Sequence, residues 1–294
     1  HPDIVIFHSP FGMHRIPKLC GELKKDGIPY IIVPHGCFSR FAIRKKYLKK
    51  RLALDIYFRK AFLGAAAIQY LSDAEQTMSV LKYPSIILPN GVNISQYKVR
   101  DYSEIKRIVF IGRKDVYHKG IDLLINGCAI IKELLSAKKA EIHVYGPGSD
   151  AENDTISRLI SQNSLDGIVI NSPGVFGAEK EEILGTADVF VLTSRCEGQP
   201  IAILEALAHS LPVLVTPGTG FSDSVKDRQM GIAVEAEPKS IAEGIAYIIN
   251  APEKMKIASK NAYQFANQAC SWDHVIELTV CKYKELCSEK NSRL

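Results

Sequence analysis

The sequence predicts an α/β fold with two parallel sheets, each covered by helices on both faces. Short runs of β-branched and aliphatic residues alternate with longer amphipathic segments almost throughout, which is the pattern of doubly wound sheets. The predicted strands are apolar on both faces, as buried parallel strands are. A chain of 294 residues is long enough for two domains, because one domain takes about 150 residues.

The predicted strands fall into two series separated by a polar segment. The first series has four strands, at residues 4–8, 28–33, 67–71 and 86–89, and the second has six, at residues 108–112, 142–145, 168–171, 189–193, 213–216 and 232–234. Residues 90–106 between them lack periodicity, which favours an interdomain linker. We predict a first domain over residues 1–98, a second over residues 99–270 and a C-terminal helix over residues 271–294. The short first series predicts that the N-terminal part of the first domain lies outside this chain.

The charge of the chain is unevenly distributed. Residues 1–100 hold 16 Lys and Arg against 6 Asp and Glu, and the remainder holds 21 against 26. A basic first half favours a partner with negative charge, such as anionic lipid, a phosphorylated acceptor or nucleic acid. The seven cysteines form no C-x-x-C pair. This argues against a zinc site or a disulfide framework and predicts reduced thiols in the cytoplasm.

Residues 39–65 carry much of the positive charge, with aromatic and aliphatic residues between the basic ones. One helix of this composition would have a cationic face and an apolar face, and such helices lie on anionic membranes. Peripheral contact with the inner face of the plasma membrane is therefore one hypothesis. The alternative is an outer helix whose apolar face packs on its own sheet. No recognised nucleic-acid-binding motif accompanies the basic residues, so we expect no nucleic-acid partner.

The most informative motif begins with Glu197-Gly198-Gln199-Pro200 and ends at Glu205, directly after a predicted strand. Proline suits a first helical turn, so a helix starts here at the carboxyl edge of the sheet. Open α/β sheets bind ligands at that edge, and free helix amides favour phosphate. The two glutamates can accept hydrogen bonds from a sugar and a ribose of one ligand. Taken alone, Glu197 is also explained as a helix-start acid and Glu205 as a solvated surface residue. An unpaired carboxylate in the apolar run around Glu205 would, however, be costly.

A second motif combines Gly112-Arg113 with Lys119-Gly120 between a predicted strand and a predicted helix. Arginine offers a planar fork and lysine a mobile point charge, and together they suit a pyrophosphate. Cations at this edge would stabilise a departing pyrophosphate more than the bound ground state. The alternative is a pair of solvated basic residues beside a turn.

A third motif, Pro34-His35-Gly36, follows a strand of the first domain. We expect His35 to reach the interdomain cleft from the wall opposite the second domain. The alternative is a buried histidine with a structural role.

In this order and spacing, the motifs resemble glycosyltransferase family 4, whose members are retaining enzymes of GT-B fold. The Glu197 and Glu205 pair, with seven residues between them, is the most specific element, and the match runs along nearly the whole chain. The resemblance implies two Rossmann-like domains that face a cleft. It also implies that the C-terminal helix crosses back to the first domain.

The resemblance implies a role for each motif residue. Arg113 and Lys119 would hold the donor diphosphate, Glu197 would contact donor sugar hydroxyls, and Glu205 would contact the ribose. His35 would lie beside the reaction centre on the acceptor side, while the glycine and glutamine after Glu197 would border the sugar. The predicted catalytic set is His35, Arg113, Lys119 and Glu197, and the predicted donor-binding set is Gly112, Arg113, Lys119, Glu197, Gly198, Gln199 and Glu205.

The implied activity is that of a hexosyltransferase that uses a nucleotide-diphosphate sugar and a saccharide or lipid-linked hydroxyl acceptor, in bacterial polysaccharide or glycolipid synthesis. We expect no cofactor and no metal, which agrees with the lack of an Asp-x-Asp motif. No carboxylate nucleophile is evident for a double displacement, so a same-face substitution is favoured. Two alternatives stay open: a nucleotide-sugar epimerase of GT-B fold, and a catalytically inactive nucleotide-sugar-binding accessory subunit.

Overall fold

The computed structural model describes residues 1–10, 15–44 and 47–291. Its contacts divide the chain into two compact units, the first comprising His1–Gly91 with Trp272–Leu294 and the second Val92–Ser271. The boundary that the sequence suggested, after residue 98, therefore falls inside the second unit.

Both units contain a purely parallel sheet, which confirms the predicted fold class. The four strands of the first unit are Val5–His8 (β1), Tyr30–Val33 (β2), Ala67–Tyr70 (β3) and Ser85–Ile87 (β4). The six strands of the second unit are Arg107–Ile111 (β5), Glu141–Tyr145 (β6), Val169–Ser172 (β7), Val189–Leu192 (β8), Val213–Val215 (β9) and Gly231–Ala233 (β10). The strand order is β1-β2-β3-β4 in the first sheet and β10-β9-β8-β5-β6-β7 in the second.

The order of the second sheet creates a topological switch point. From β5 the chain proceeds outward through β6 and β7, and it then returns to the other side of β5 to form β8 and the strands beyond it. The loops that leave the paired strands β5 and β8 therefore lie side by side at the carboxyl edge. Open α/β sheets bind ligands in the crevice at such a point.

Helices connect the strands in both units. Those of the first unit are Ile16–Lys25 (α1), Arg40–Arg44 (α2), Tyr47–Leu52 (α3), Arg59–Gly64 (α4), Asp73–Met78 (α5) and, at the C terminus, Trp272–Asn291 (α14). Those of the second unit are Ile121–Ile130 (α6), Lys132–Lys138 (α7), Asp150–Gln162 (α8), Gly177–Thr186 (α9), Ile201–Ala208 (α10), Ser222–Asp227 (α11), Pro238–Asn250 (α12) and Pro252–Phe265 (α13). Shorter π and 3-10 turns are Ala53–Tyr57, Pro217–Thr219 and Ala266–Cys270.

The basic segment at residues 39–65 is not the single helix that its composition suggested. It consists of α2, α3, the π turn and α4, and its Lys45 and Lys46 lie outside the described residues. Some of its apolar side chains, including Ile43, Leu54 and Phe62, are buried in the core of the first unit. A straight helix has one apolar stripe, whereas this segment directs apolar groups both into the core and into solvent.

The polar segment between β4 and β5 contains no helix or strand among its described residues, yet it is anchored to the second unit. The buried guanidinium of Arg100 donates hydrogen bonds to the carbonyls of Leu184, Gly185, Ala187 and His209. These carbonyls lie at or just beyond the C-terminal ends of α9 and α10, where backbone acceptors lack helical partners. A cation is favourable at such helix ends.

The C-terminal helix α14 belongs to the first unit. The hydroxyl of Tyr283 donates a hydrogen bond of 2.6 Å to Oε1 of Gln69, in β3. Tyr283 and Leu286 also pack against the small apolar cluster around Ile31 and Val33, in β2. Hence α14 completes the first unit after the chain has left the second.

Candidate active site

The loops after β5 and β8 meet at the switch point of the second sheet. Nζ of Lys119, at the end of the β5 loop, donates a hydrogen bond of 2.5 Å to Oε1 of Glu197, in the β8 loop. The hydroxyl of Ser194 donates to the same oxygen at 2.6 Å. Both side chains of the ion pair are mostly buried, with exposed fractions of 16% for Lys119 and 12% for Glu197. The structure therefore brings together two predicted site residues that are 78 positions apart in sequence.

The close approach of these loops depends on Gly120, directly before α6. Its φ is +64°, and a Cβ atom at this position would lie 2.0 Å from the carbonyl oxygen of Thr193. The hydroxyl of Thr193 donates to the carbonyl of Gly120 at 2.9 Å. Only glycine satisfies both the left-handed backbone and the contact without strain. The glycine of the Lys119-Gly120 motif thus sets the distance between the two loops.

Arg113 lies in the same β5 loop as Lys119 but is exposed. Its guanidinium has neither an ion pair nor a hydrogen bond with any residue that the structure describes. The neighbouring Gly112 is fixed, because its amide bonds to the carbonyl of Tyr145 at 3.0 Å and Gly146 packs directly against its carbonyl. The backbone under Arg113 is therefore held in place, while its side chain extends into solvent.

Glu205 lies on α10, and its carboxylate is not unpaired. Lys180, in α9, donates to its Oε1 at 2.6 Å, and each side chain is 23% exposed. This pairing, with both side chains still partly exposed, offsets the cost of an unpaired carboxylate in these apolar surroundings. Gly198 and Gln199 are partly buried and precede Pro200. Pro200 itself is the N-cap of α10 and not a residue of its first turn.

A different chemistry occurs at the carboxyl edge of the first sheet. Nδ1 of His8, at the end of β1, lies 2.7 Å from Nε2 of His35, in the loop after β2. The two imidazole rings are stacked, with centroids 5.0 Å apart. Both residues are exposed, so His35 is not the buried structural histidine of the alternative. Burial of part of its ring, followed by the proximity of His8, lowers the pKa of His35.

Glu75 supports the loop that carries His35. The side chain of Glu75 is buried and accepts hydrogen bonds from the amides of Gly36 and Leu71. Burial raises the pKa of this carboxyl, and the two backbone hydrogen bonds oppose the increase. His35 itself has a φ of +52°, a backbone conformation that is uncommon for residues other than glycine. The turn after β2 is thus tied to the loop after β3.

Comparison with known proteins identifies the family. Residues 96–265, more than half of the chain, match the family model of the glycosyl transferases group 1. This chain belongs to that family.

Curated relatives of this group 1 glycosyl transferase are similar along most of its length. It is 28% identical over 290 residues to an uncharacterised glycosyltransferase of Methanocaldococcus jannaschii, covering 96% of this chain and 76% of that protein. It is 24% identical to the alpha-monoglucosyldiacylglycerol synthase of Acholeplasma laidlawii, covering 88% of this chain and 70% of the synthase. It is also 30% identical over 180 residues to a second uncharacterised glycosyltransferase of M. jannaschii. That match covers 61% of this chain and only 45% of the other protein.

Solved structures support the fold of the group 1 glycosyl transferase. The sucrose-phosphate synthase of Thermosynechococcus elongatus aligns with a TM-score of 0.78 at 17% identity, over 98% of this chain and 74% of that one. HepE of Anabaena, solved with UDP and glucose, aligns with a TM-score of 0.74 at 18% identity, over 99% and 78%. The fold is therefore that of the GT-B glycosyltransferases. Neither the epimerase nor the accessory-subunit alternative is favoured by these matches.

Several side chains around the site were not predicted from the sequence. Ser194, Lys180 and His8 each contact a predicted residue, as described above. Lys114 is buried beside Arg113, and its Nζ donates to Oδ1 of Asn153 at 2.9 Å and to the carbonyl of Ser172 at 2.6 Å. Burial lowers the pKa of Lys114. Among the described residues, no group of three His, Cys, Asp or Glu side chains is placed to hold a metal ion.

Proposed function

We propose that this glycosyl transferase moves a sugar from a nucleotide-diphosphate sugar to a hydroxyl acceptor with retention of configuration. The observation that supports this most strongly is the Lys119 and Glu197 contact at the switch point of the second sheet. A cation for the diphosphate and a carboxylate for sugar hydroxyls are adjacent there. HepE, which shares the fold, was solved with UDP and glucose. The donor of this chain is accordingly proposed to be a nucleotide sugar.

The proposed roles follow from the charges at this edge. Lys119 and Arg113, which has no ion-pair partner among the described residues, stabilise the diphosphate as it gains negative charge on departure. Glu197 accepts both of its described hydrogen bonds at Oε1, and no bond from a described residue reaches Oε2. That second oxygen is proposed to accept from a donor sugar hydroxyl. Glu205 is proposed to bind the ribose hydroxyls, with Lys180 holding its carboxylate, while Gly112, Gly198 and Gln199 border the donor.

The proposed chemical step is a same-face substitution without a metal or another cofactor. The bond from the anomeric carbon to the phosphate oxygen breaks, and the acceptor oxygen attacks the same face. Because the attack is on the same face, no carboxylate nucleophile is needed, and the departing phosphate oxygen takes the acceptor proton in place of a separate base. His35, whose pKa is lowered by partial burial and by His8, is proposed to lie beside the reaction centre on the acceptor side.

A thermal-shift panel tests the donor site. UDP-glucose, GDP-mannose and ADP-glucose are added to the wild-type chain and to Glu205→Ala. We expect one donor to raise the Tm of the wild type, and the variant to lose most of that increase, because hydrogen bonds to a charged group contribute about 1.5–3 kcal/mol. Glu243→Ala is the control, since Glu243 is an exposed α12 residue. If no donor stabilises the wild type, or if both variants respond alike, the proposed donor site is wrong.

The acceptor is proposed to be a saccharide or a lipid-linked sugar, as in polysaccharide or glycolipid synthesis, with the basic segment in contact with an anionic membrane. Within residues 39–65, large apolar side chains are exposed beside basic ones, namely Tyr47, Leu48, Leu52, Ile56, Tyr57 and Leu63. Leu48 is 83% exposed and has Lys49, Lys50 and Arg51 next to it in the chain. Apolar groups that insert and cations that attract lipid headgroups act together at such surfaces. No described helix combines the length and the apolarity needed to cross a bilayer.

Vesicle co-sedimentation tests this contact. Wild-type protein should sediment with vesicles that contain phosphatidylglycerol at low salt and much less with phosphatidylcholine alone. The double variant Leu48→Ser/Ile56→Ser should lose most of this binding. Ile257→Ser, a change at an exposed isoleucine of α13 in the second unit, should retain it. Negligible sedimentation of the wild type with anionic vesicles would remove the membrane from the proposal.

A further inference from the structure

Arg195 connects the two loops that carry Lys119 and Glu197. Its guanidinium forms a bidentate ion pair with Asp122, at the start of α6, with both nitrogen-to-oxygen distances at 2.8 Å. It also donates to the carbonyl of Tyr117 and lies 4.1 Å from the centroid of that ring.

The backbone of Arg195 adds a further link between the loops. Its amide donates to the carbonyl of His118 at 2.9 Å. Every one of these contacts runs from the β8 loop to the β5 loop or to the helix that directly follows it. Glu197 lies two residues after Arg195, and Lys119 lies two residues after Tyr117. The Arg195 contacts thus connect the two loops next to the Lys119 and Glu197 ion pair of the proposed donor site.

We propose that Arg195 is a positioning residue of the donor site, which acts through Asp122 and Tyr117 to fix the distance between Lys119 and Glu197. This proposal rests on the proposed function of the switch-point edge. Arg195 itself is not assigned a contact with the donor, because its guanidinium is already occupied by contacts within the protein.

The physical basis is the directionality of the guanidinium group. A planar fork that bonds a carboxylate through two nitrogens fixes orientation as well as distance, which a lysine ammonium does not. The Arg195 and Asp122 side chains are 19% and 27% exposed, so the pair is partly shielded from solvent. Consistently, the hydrogen bonds to Asp122 raise the pKa of Arg195. Displacing a reacting group by about 1 Å can lower the reaction rate by about 10²-fold. Loops that are not held in place would therefore reduce turnover.

A set of variants tests the proposal. Arg195→Met removes every side-chain contact, and Arg195→Lys keeps the charge without the fork. Arg228→Met is the matched control, because Arg228 lies 4.9 Å over the ring of Phe265 in the same unit and away from these loops. Far-UV circular dichroism and thermal unfolding first establish that each variant is folded. Arg195→Lys keeps the test valid if Arg195→Met does not fold.

Two measurements on these variants report the order of the two loops and the affinity for the donor. Amide hydrogen exchange without nucleotide should be faster in Arg195→Met than in the wild type at residues 116–120 and 194–199, and unchanged in Arg228→Met. The affinity for the nucleotide sugar that stabilises the wild type, measured by calorimetry, should be about 10-fold lower in Arg195→Met. One or two hydrogen bonds change a binding affinity by about this factor. Arg195→Lys should fall between the wild type and Arg195→Met.

A double-mutant cycle separates positioning from a general structural role. If Arg195 acts through the Lys119 and Glu197 pair, Arg195→Met should weaken binding much less in a Glu197→Ala background, because coupled residues are not additive. An equal loss in both backgrounds, or normal exchange in both loops, would overturn the proposal. If the wild type binds UDP-glucose and Arg195→Met binds it equally, only the present proposal fails. If the wild type binds none of UDP-glucose, GDP-mannose and ADP-glucose, the proposed function fails as well.

Discussion

The carboxyl edges of the two sheets are built from different chemistry. In the second unit, the loops after β5 and β8 carry charged groups, and the Lys119 and Glu197 pair joins them. In the first unit, the end of β1 and the loop after β2 bring together two imidazoles, and the buried carboxylate of Glu75 accepts hydrogen bonds from backbone amides. One edge therefore offers fixed charge, and the other offers an imidazole, that of His35, whose lowered pKa favours the neutral form.

This difference matches the two halves of the proposed reaction. A diphosphate leaving group requires compensation of charge, which cations supply best where water is partly excluded. A sugar or lipid hydroxyl carries no charge, and in the proposed step the departing phosphate oxygen takes its proton, so its edge needs no fixed charge. Both units have a parallel sheet with a carboxyl edge, and the side chains on the loops decide which ligand each edge would suit.

Arg113→Ala is the strongest test of the charged edge. Turnover should fall by about 10²-fold or more, as it does when a single oxyanion donor is removed from an enzyme. The reason is that Arg113 has no partner among the described residues, so its charge is available for the leaving group. The measurement is the steady-state rate of sugar transfer, or of donor hydrolysis if the acceptor is unknown. Arg158→Ala, at an exposed arginine on α8, is the control, and near-normal turnover of Arg113→Ala would refute the role.

Gly120→Ala tests whether the charged edge needs its close loop contact. A methyl group there meets the Thr193 carbonyl in a left-handed backbone, so we expect a destabilisation of about 1–3 kcal/mol, measured by chemical denaturation. Gly185→Ala is the matched control: Gly185 lies in α9 with no atom within 4 Å of an added Cβ. That change should stabilise the protein by about 0.4–1 kcal/mol. Equal effects of the two changes would show that the contact between the loops contributes little.

Most of the fold follows from local sequence patterns. Each predicted strand is present within one or two residues, because a short apolar run between turn residues has few other ways to bury itself in a doubly wound sheet. The start of α10 was located by Pro200, although that residue is the N-cap. The break of the 39–65 segment was not predicted, since periodicity does not indicate where the core ends and solvent begins.

The partners of the site residues could not be predicted. Lys180 pairs with Glu205, 25 positions away, and Arg195 pairs with Asp122, 73 positions away. Neither partner has a local signal, because a charged residue at the end of a helix or in a loop is usually solvated. The motifs predicted which residues belong to the site, but only the strand order of the second sheet determines which loops are neighbours.

His8→Asn tests the carboxyl edge of the first sheet, with the smallest expected effect. Two causes lower the pKa of His35, partial burial first and His8 second, so removing His8 should raise that pKa only part of the way to its ordinary value. Because the lowered pKa favours the neutral ring, His35 stabilises the fold above its unfolded-state pKa, and this contribution is lost as pH falls through the folded-state pKa. The loss on acidification should be smaller in the variant. NMR titration of the His35 ring measures the pKa, and His143→Asn, in the second unit, should leave it unchanged. A His35 pKa that does not move in His8→Asn would mean that burial alone lowers this pKa, and that the imidazole pair has no part in the contrast with the charged edge.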